Sequence, residues 1–476
     1  MLFNSINFAL FIPIVFILYW FVTYKNLKLQ NALLFAASYF FYACWDWRFM
    51  FLLMFSILLD FFTGLKMEQN PNKKKMWFWL SVVINLGFLA VFKYYNFFVG
   101  SFTTLLSSCG LNINTSTLDI ILPVGISFYT FHGLSYVIDI YNNRIKAEKN
   151  FIEYAVFVSF FPLLVAGPIE RATHLLPQVK KERAFNYDMA VSGMRLILWG
   201  FFKKIMIADR LAVFVDSVYG GIPTVEGFPI VLATIFFAFQ LYLDFSGYSD
   251  IAIGLGKLLG FDLFVNFKRP YFSTSFGNFW KRWHISLSSW FQDYVYIPLG
   301  GNRKGKAKTI RNVLIIFAVS GLWHGASWNF VIWGILNALF MIALDPILNK
   351  IQSKGLVVRV FKGFFITLCW TASLVFFRAQ TFQEALNCFS HTGFGNVDSI
   401  LKFNLNAAEL KLAFVLIAFL LLTEIVIERS EEFIPKFWNK TPSIFRWAFY
   451  VAMTLLILYF GQYGNGNEHS FIYFQF

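Results

Sequence analysis

The chain has 476 residues, of which 58% are hydrophobic and only 14% charged, and it carries a net charge of +14. A soluble domain ordinarily carries about a quarter charged residues, so the missing charge and the long apolar runs exclude an ordinary soluble protein and point to the bilayer as solvent. The basic residues are scattered between apolar stretches, which argues against nucleic acid as a partner and fits the accumulation of Lys and Arg in cytoplasmic loops.

The first 24 residues contain no Lys or Arg. Without a basic start or a small-residue cleavage site, Asn7 to Val22 reads as a retained span rather than a cleavable signal. Each crossing needs roughly 20 apolar residues. The candidates are 6–24, 30–44, 49–65, 76–99, 119–141, 188–213, 228–252, 363–379, 411–428 and 447–463. No alternating strand pattern competes with them, so the expected class is all-α and polytopic, one transmembrane domain over 1–476 with about ten spans. Loop charge sets the orientation. Segments 100–118, 215–227 and 464–476 lack Lys and Arg and are assigned outside, whereas 66–75, 144–149, 303–311, 350–362 and 429–446 are basic and are assigned inside. Both termini are then extracytoplasmic.

Three stretches do not fit simple crossings. Residues 151–168 lie between the basic segments RIKAEK and VKKER, and a span cannot begin and end on one side, so this stretch is expected to be re-entrant. Residues 276–298 mix aromatics with Lys281, Arg282, His284 and Asp293, which suits a helix lining a polar cavity or an amphipathic helix at the interface. Residues 312–347 place GLWHGASWN between two apolar arms. That pattern predicts a hairpin entering from the cytoplasm, with His324 near its tip at a depth where broken backbone survives only inside protein or beside water. A further difficulty is that Arg195, Lys203, Lys204 and Arg210 fall within 188–213, so that segment either lines a cavity or lies flat.

Ionisable residues at membrane depth are functional candidates. His324 can take a proton from a hydroxyl nucleophile, or it can simply join two helices by a hydrogen bond. Asp139, Asp244 and Asp250 can each orient a His or pair with a nearby Arg that holds helices together, and the structural pairing is the favoured reading. Cys44, Cys109, Cys369 and Cys388 form no CxxC pair and no His-adjacent metal spacing, so no metal site is expected. A Cys109–Cys388 disulfide is possible, with nothing to support it. There is no Walker motif, HExxH or GxSxG elbow.

The segments PVGISFYTFHGLSYVIDIY, AGPIERATHLLPQ, FSGYSDIAIGLGKLLGF, NFKRPYFSTSFGNFWKRWHISLSSWFQDYVYIPLGGNR and SGLWHGASWNFVIWG occur in this order. Together they resemble the membrane-bound O-acyltransferases, in particular the alginate and peptidoglycan O-acetyltransferase branch. The resemblance implies a helical bundle with re-entrant elements around a central tunnel, open to an acyl donor from the cytoplasm and to an acceptor from outside. It assigns the family's near-invariant His to His324 and its second His to His284. Trp323, Asn329, Arg282 and Asp293 are then expected to contact substrate. The ending HSFIYFQF resembles the aromatic tail of this branch and that of a partner peptide in teichoic acid D-alanylation, where a Tyr accepts the acyl group. The matching residue is Tyr473, which is also readable as an interfacial anchor. From Gly464 to Phe476 an extended chain reaches about 40 Å, enough to return to a central His.

The resemblance implies acetyl-CoA as donor substrate, with its anionic head drawn to the basic segment 303–311, and no permanently bound cofactor. His324 is expected as general base on Tyr473 or another hydroxyl, and His284 as the group that positions the thioester or its oxyanion. No outer domain large enough for a polysaccharide is visible, so an extracytoplasmic SGNH-type acetyltransferase or similar partner is expected, in a bacterial inner membrane. Two alternatives stay open at this point: a D-alanyl transferase of teichoic acid modification, and a solute transporter using the same broken helices.

Overall fold

The computed structural model describes residues 1–111, 115, 117–222, 224–351, 355–463 and 471–474. The expected loops 100–118, 215–227 and 350–362 and the tail 464–476 each include positions outside this set. Of the tail, Phe471–Phe474 are described.

Among the described residues the chain is helical, with one isolated bridge, Gly227 to Thr392, as its β character. Seven helices among the described residues are long and apolar enough to cross a bilayer: Phe49–Gln69, Pro71–Ser108, Phe228–Leu258, Trp328–Lys350, Leu356–Arg378, Ala407–Arg429 and Ser443–Phe460. The protein is therefore a multi-pass membrane protein. Three further expected spans are shorter. Ile6–Ile17 continues through a π segment to Val22, Leu27–Ala43 has 17 residues, and Ile126–Tyr141 has 16 because 119–125 is not helical. At 1.5 Å per residue such helices rise about 24–26 Å, less than the roughly 30 Å hydrocarbon core.

The chain divides into two compact units, Met1–Arg195 with Ala252–Phe264, and Leu196–Ile251 with Val265–Phe476. In the first, the helix Phe49–Gln69 carries buried Asp60, whose Oδ1 accepts from Ser81 Oγ at 2.6 Å and Asn85 Nδ2 at 2.8 Å. The stretch 151–168 contains the helices Phe151–Ser159 and Phe161–Leu164. Nine residues rise about 14 Å, so neither helix is long enough by itself to cross. The stretch is buried, and Ser38 Oγ accepts the Phe161 N–H at 3.1 Å. His132 Nε2 accepts the Glu170 N–H at 3.1 Å, while Glu170 pairs with His174 at 2.7 Å and accepts the Phe264 N–H at 2.6 Å.

In the second unit Lys203, Lys204 and Arg210, which trouble a lipid-facing assignment, have a clear account. The segment 188–213 lies in a helical run made of Tyr187–Phe201, a π segment Phe202–Ala208, and Asp209–Gly220. Lys203 pairs with Asp250 at 2.7 Å, and Lys204 pairs with Asp209 at 2.7 Å and Asp244 at 2.6 Å. Arg210 donates to the carbonyls of Met206 at 3.0 Å and Phe460 at 2.6 Å. These cations are buried and matched, the condition under which charge is tolerated at low dielectric. Close contact between Gly200 and Gly247 allows it. A Cβ on Gly200 would come within 2.6 Å of the Gly247 carbonyl, and one on Gly247 within 2.8 Å of the Gly200 carbonyl. Small residues bring helices near enough for short polar bridges. All four cysteines are free.

Candidate active site

The site lies wholly in the second unit. Its first element is a hairpin made by the helix Lys306–His324 and the helix Trp328–Leu339. The GLWHGASWN break makes the turn. His324 closes the first helix, Gly325 is extended, and Ser327 caps the second helix by accepting the Asn329 N–H at 3.2 Å. A Cβ on Gly321 would overlap the Phe330 carbonyl, and one on Gly334 would overlap the Phe317 carbonyl. The two arms therefore pack backbone to backbone, as small residues permit, and His324 is held 3% exposed at the turn. Its ring lies 5.2 Å from Trp333 at 89° and 5.5 Å from Phe377.

The second element is not the continuous helix expected over 276–298. The segment breaks into Phe276–Trp280, Ile285–Phe291 and a π turn Gln292–Tyr296. The break is at His284, whose φ of 43° lies in the left-handed region, uncommon for a residue with a side chain and a mark of local strain. Asn266 holds it there. The Asn266 carbonyl accepts the Ile285 N–H at 2.8 Å. Its side-chain Oδ1 accepts from Ser286 Oγ at 2.9 Å and from the Ser286 N–H at 3.4 Å, while its Nδ2 donates to Ser249 Oγ at 3.1 Å. Those partners orient the amide, so Oδ1 at 3.2 Å from His284 Nδ1 is an acceptor and Nδ1 carries the proton. Nε2 of the neutral ring is then a lone pair, buried and with no hydrogen-bond donor among the described residues.

The third element is the tail. Phe471 is buried and stacks near Tyr248 at 4.8 Å and Phe245 at 5.5 Å. The Ile472 N–H donates to Asp244 Oδ2 at 2.7 Å. Tyr473, in the short turn Ile472–Phe474, has its ring 5.5 Å from His324, 6.5 Å from His284 and 4.7 Å from Phe245. The two histidine rings are 6.3 Å apart. Three groups able to accept or give a proton thus share one aromatic cluster with Trp323, Trp333, Phe245 and Phe377.

The four expected substrate contacts lie differently. Trp323 packs against both histidines, 5.0 Å from His324 and 5.9 Å from His284. Asn329 is 2% exposed and donates to the Ala379 carbonyl at 2.9 Å, a contact that fixes the hairpin. Arg282 grips Glu428 with two nitrogens at 2.9 and 3.0 Å, beside Arg269 on the same carboxylate at 2.7 Å. Asp293 sits half-buried in the π turn.

The sequence model of the membrane-bound O-acyltransferase family matches residues 142–377, which include both histidines. A probable alginate O-acetylase AlgI of Azotobacter vinelandii is 37% identical over 428 residues, 88% of this chain and 84% of that protein. This chain belongs to the membrane-bound O-acyltransferase family. A Helicobacter pylori peptidoglycan O-acetyltransferase is 35% identical over 422 residues, 81% of this chain and 78% of its own length. A Bacillus subtilis teichoic acid D-alanyltransferase is 28% identical over 228 residues, 46% of this chain and 58% of its own. Membership makes the protein an O-acyltransferase. Sequence reasoning missed Asn266 and the contact of Asp244 with the tail; it singled out Lys204 without its carboxylate partners. Asn266 has no signal of its own in VNFKRP, because its partners are 17 to 20 residues away.

Proposed function

We propose that this protein is a membrane O-acetyltransferase of a bacterial cytoplasmic membrane, oriented with both termini outside. It takes acetyl from cytoplasmic acetyl-CoA and delivers it for O-acetylation of an extracytoplasmic polysaccharide, peptidoglycan or an alginate-like exopolysaccharide. An SGNH-type transferase outside the membrane receives the group. The names of two relatives that match most of the chain support the polysaccharide class. The observation that carries the chemistry is the convergence of His324, His284 and Tyr473 in one aromatic cluster.

In this mechanism the Tyr473 hydroxyl oxygen attacks the thioester carbonyl carbon while His324, as general base, takes its proton. The tetrahedral intermediate collapses, the C–S bond breaks, and the imidazolium returns the proton to the departing thiolate. Tyr473 is left as an acetyl ester, which a second hydroxyl attacks from the outer side. His284, with Nδ1–H committed to Asn266, offers a lone pair. It is suited to accepting a proton, and it can stabilise an oxyanion only after gaining one. Exclusion of water from this aromatic cluster strengthens each of these interactions.

The test is a donor comparison with purified protein. Release of CoA thiol from acetyl-CoA, and no turnover with a D-alanyl carrier, is the expected result. Turnover with the carrier alone would transfer the protein to the D-alanylation class. Solute flux without any donor would favour transport.

A further inference from the structure

We propose that Asp244 is the positioning residue that seats the C-terminal tail, and that the Lys204 ammonium beside it makes the seat. The inference rests on the tail reading above and adds what holds Tyr473 in place. The last long helix, Ser443–Phe460, ends where Arg210 binds the Phe460 carbonyl and the Gln462 N–H reaches the Ile205 carbonyl at 3.3 Å. When the described chain resumes, its hydrogen bond to the helix Phe228–Leu258 is the Ile472 N–H on Asp244 Oδ2 at 2.7 Å. Asp244 is 2% exposed, and its other oxygen meets Lys204 Nζ at 2.6 Å. Lys204 also binds Asp209 at 2.7 Å, so one buried cation is shared by two carboxylates.

This arrangement differs from packing in a way that matters. The rings of Phe471 and Tyr473 pack against their aromatic neighbours, contacts that tolerate sliding and rotation. A backbone N–H on a fixed carboxylate oxygen is directional, and a bond to an ionised acceptor is roughly twice as strong as a neutral one. It sets the register of the tail one residue before Tyr473, so the phenol arrives beside His324 and not one residue early or late. Because the bond is to backbone, it is indifferent to the side chain at Ile472. Asp244 does not touch the reacting hydroxyl and acts through the tail.

The test is carboxypeptidase digestion of the detergent-purified full chain, followed by intact mass. In the wild type, removal of Tyr473 is expected to be slow. In Asp244→Ala it is expected to be faster by on the order of ten- to a hundredfold, the range a charge-assisted bond supports. Asp244→Asn, which keeps an acceptor oxygen and loses the charge, is expected to fall between the two. It carries the test if Asp244→Ala does not fold. Asp209→Asn is the control for loosening of the buried charge cluster. Asp209 shares Lys204 but makes no hydrogen bond to the tail among the described residues, so its tail is expected to stay protected. Wild-type protection in both Asp244 variants would overturn the proposal, as would equal exposure in Asp209→Asn. The acceptor reading fails separately: if Tyr473→Phe transferred acetyl at the wild-type rate while Asp244→Ala still exposed the tail, the seat would stand and the acyl-tyrosine would not.

Discussion

Replacing Asn266 by Ala removes the acceptor that fixes the His284 tautomer. The His284 ring is 1% exposed, and its Nδ1–H has Asn266 Oδ1 at 3.2 Å as its partner. Leaving a buried N–H unmade costs about 1–3 kcal/mol. At about 1.4 kcal/mol per factor of ten, the bias toward the Nδ1–H form then falls by about 5- to 150-fold. Because His284 can accept a proton in the site only through the Nε2 lone pair of the Nδ1–H form, kcat for acetyl transfer is expected to fall by up to a similar factor. Steady-state release of CoA thiol reads this, measured well below the unfolding temperature of the variant. Two comparisons separate positioning from general damage. Asn266→Asp keeps an acceptor at the same place and is expected to recover most of kcat. Ser249→Ala removes the 3.1 Å bond at the far end of the same amide and is expected to leave kcat within about twofold, since the loss of one such bond is worth about 1 kcal/mol of stability and does not reach the ring. Wild-type kcat in Asn266→Ala would refute the reasoning. So would an equal loss in Asn266→Asp and Asn266→Ala.

Three further outcomes follow from the packing. Gly334→Ala drives a Cβ into the Phe317 carbonyl, whereas a Cβ on Gly87 meets nothing within 4 Å. The first is expected to destabilise the protein by about 1–3 kcal/mol and the second to be neutral, as read by thermal unfolding in detergent. Arg282 and Glu428, joined by two bonds, are expected to show a coupling of about 0.5–3 kcal/mol in a double-mutant stability cycle, which a purely substrate-binding Arg282 would not. The Glu170 carboxylate hydrogen-bonded to His174 raises that imidazole above its ordinary value of 6.5. A folded value above the unfolded one means the stabilisation is full below pH 6.5 and is lost as pH rises through the raised value. The stability gap between wild type and His174→Ala is therefore expected to shrink as pH rises from 6.5, and a gap that widened would contradict the assignment.

Much of the membrane architecture was legible because bilayer crossing imposes one strong rule. Runs such as 411–428 and 228–252 announce themselves by length and apolarity, and the structure contains them in Ala407–Arg429 and Phe228–Leu258. The hairpin was legible for a related reason. A Gly-rich break between apolar arms has few solutions at membrane depth, and Lys306–His324 with Trp328–Leu339 is one. Where the reading ran out, the cause was long-range pairing. Lys203 and Lys204 look like errors in a span until Asp250 and Asp244, more than 39 residues on, are seen beside them. The helix expected through 276–298 breaks because Asn266 holds His284 in a left-handed turn, a contact that local propensity does not encode. Arg282 carried the right charge for a substrate anion, yet its fork is occupied by Glu428.

The most direct test of the account is acetyl transfer onto the chain itself. Purified wild type, His324→Ala and Tyr473→Phe are each incubated with radiolabelled acetyl-CoA, and the label is located by proteolysis and mass spectrometry. The account predicts label on Tyr473 in the wild type and none in either variant. Label of wild-type extent in Tyr473→Phe, or turnover undiminished in His324→Ala, would contradict it.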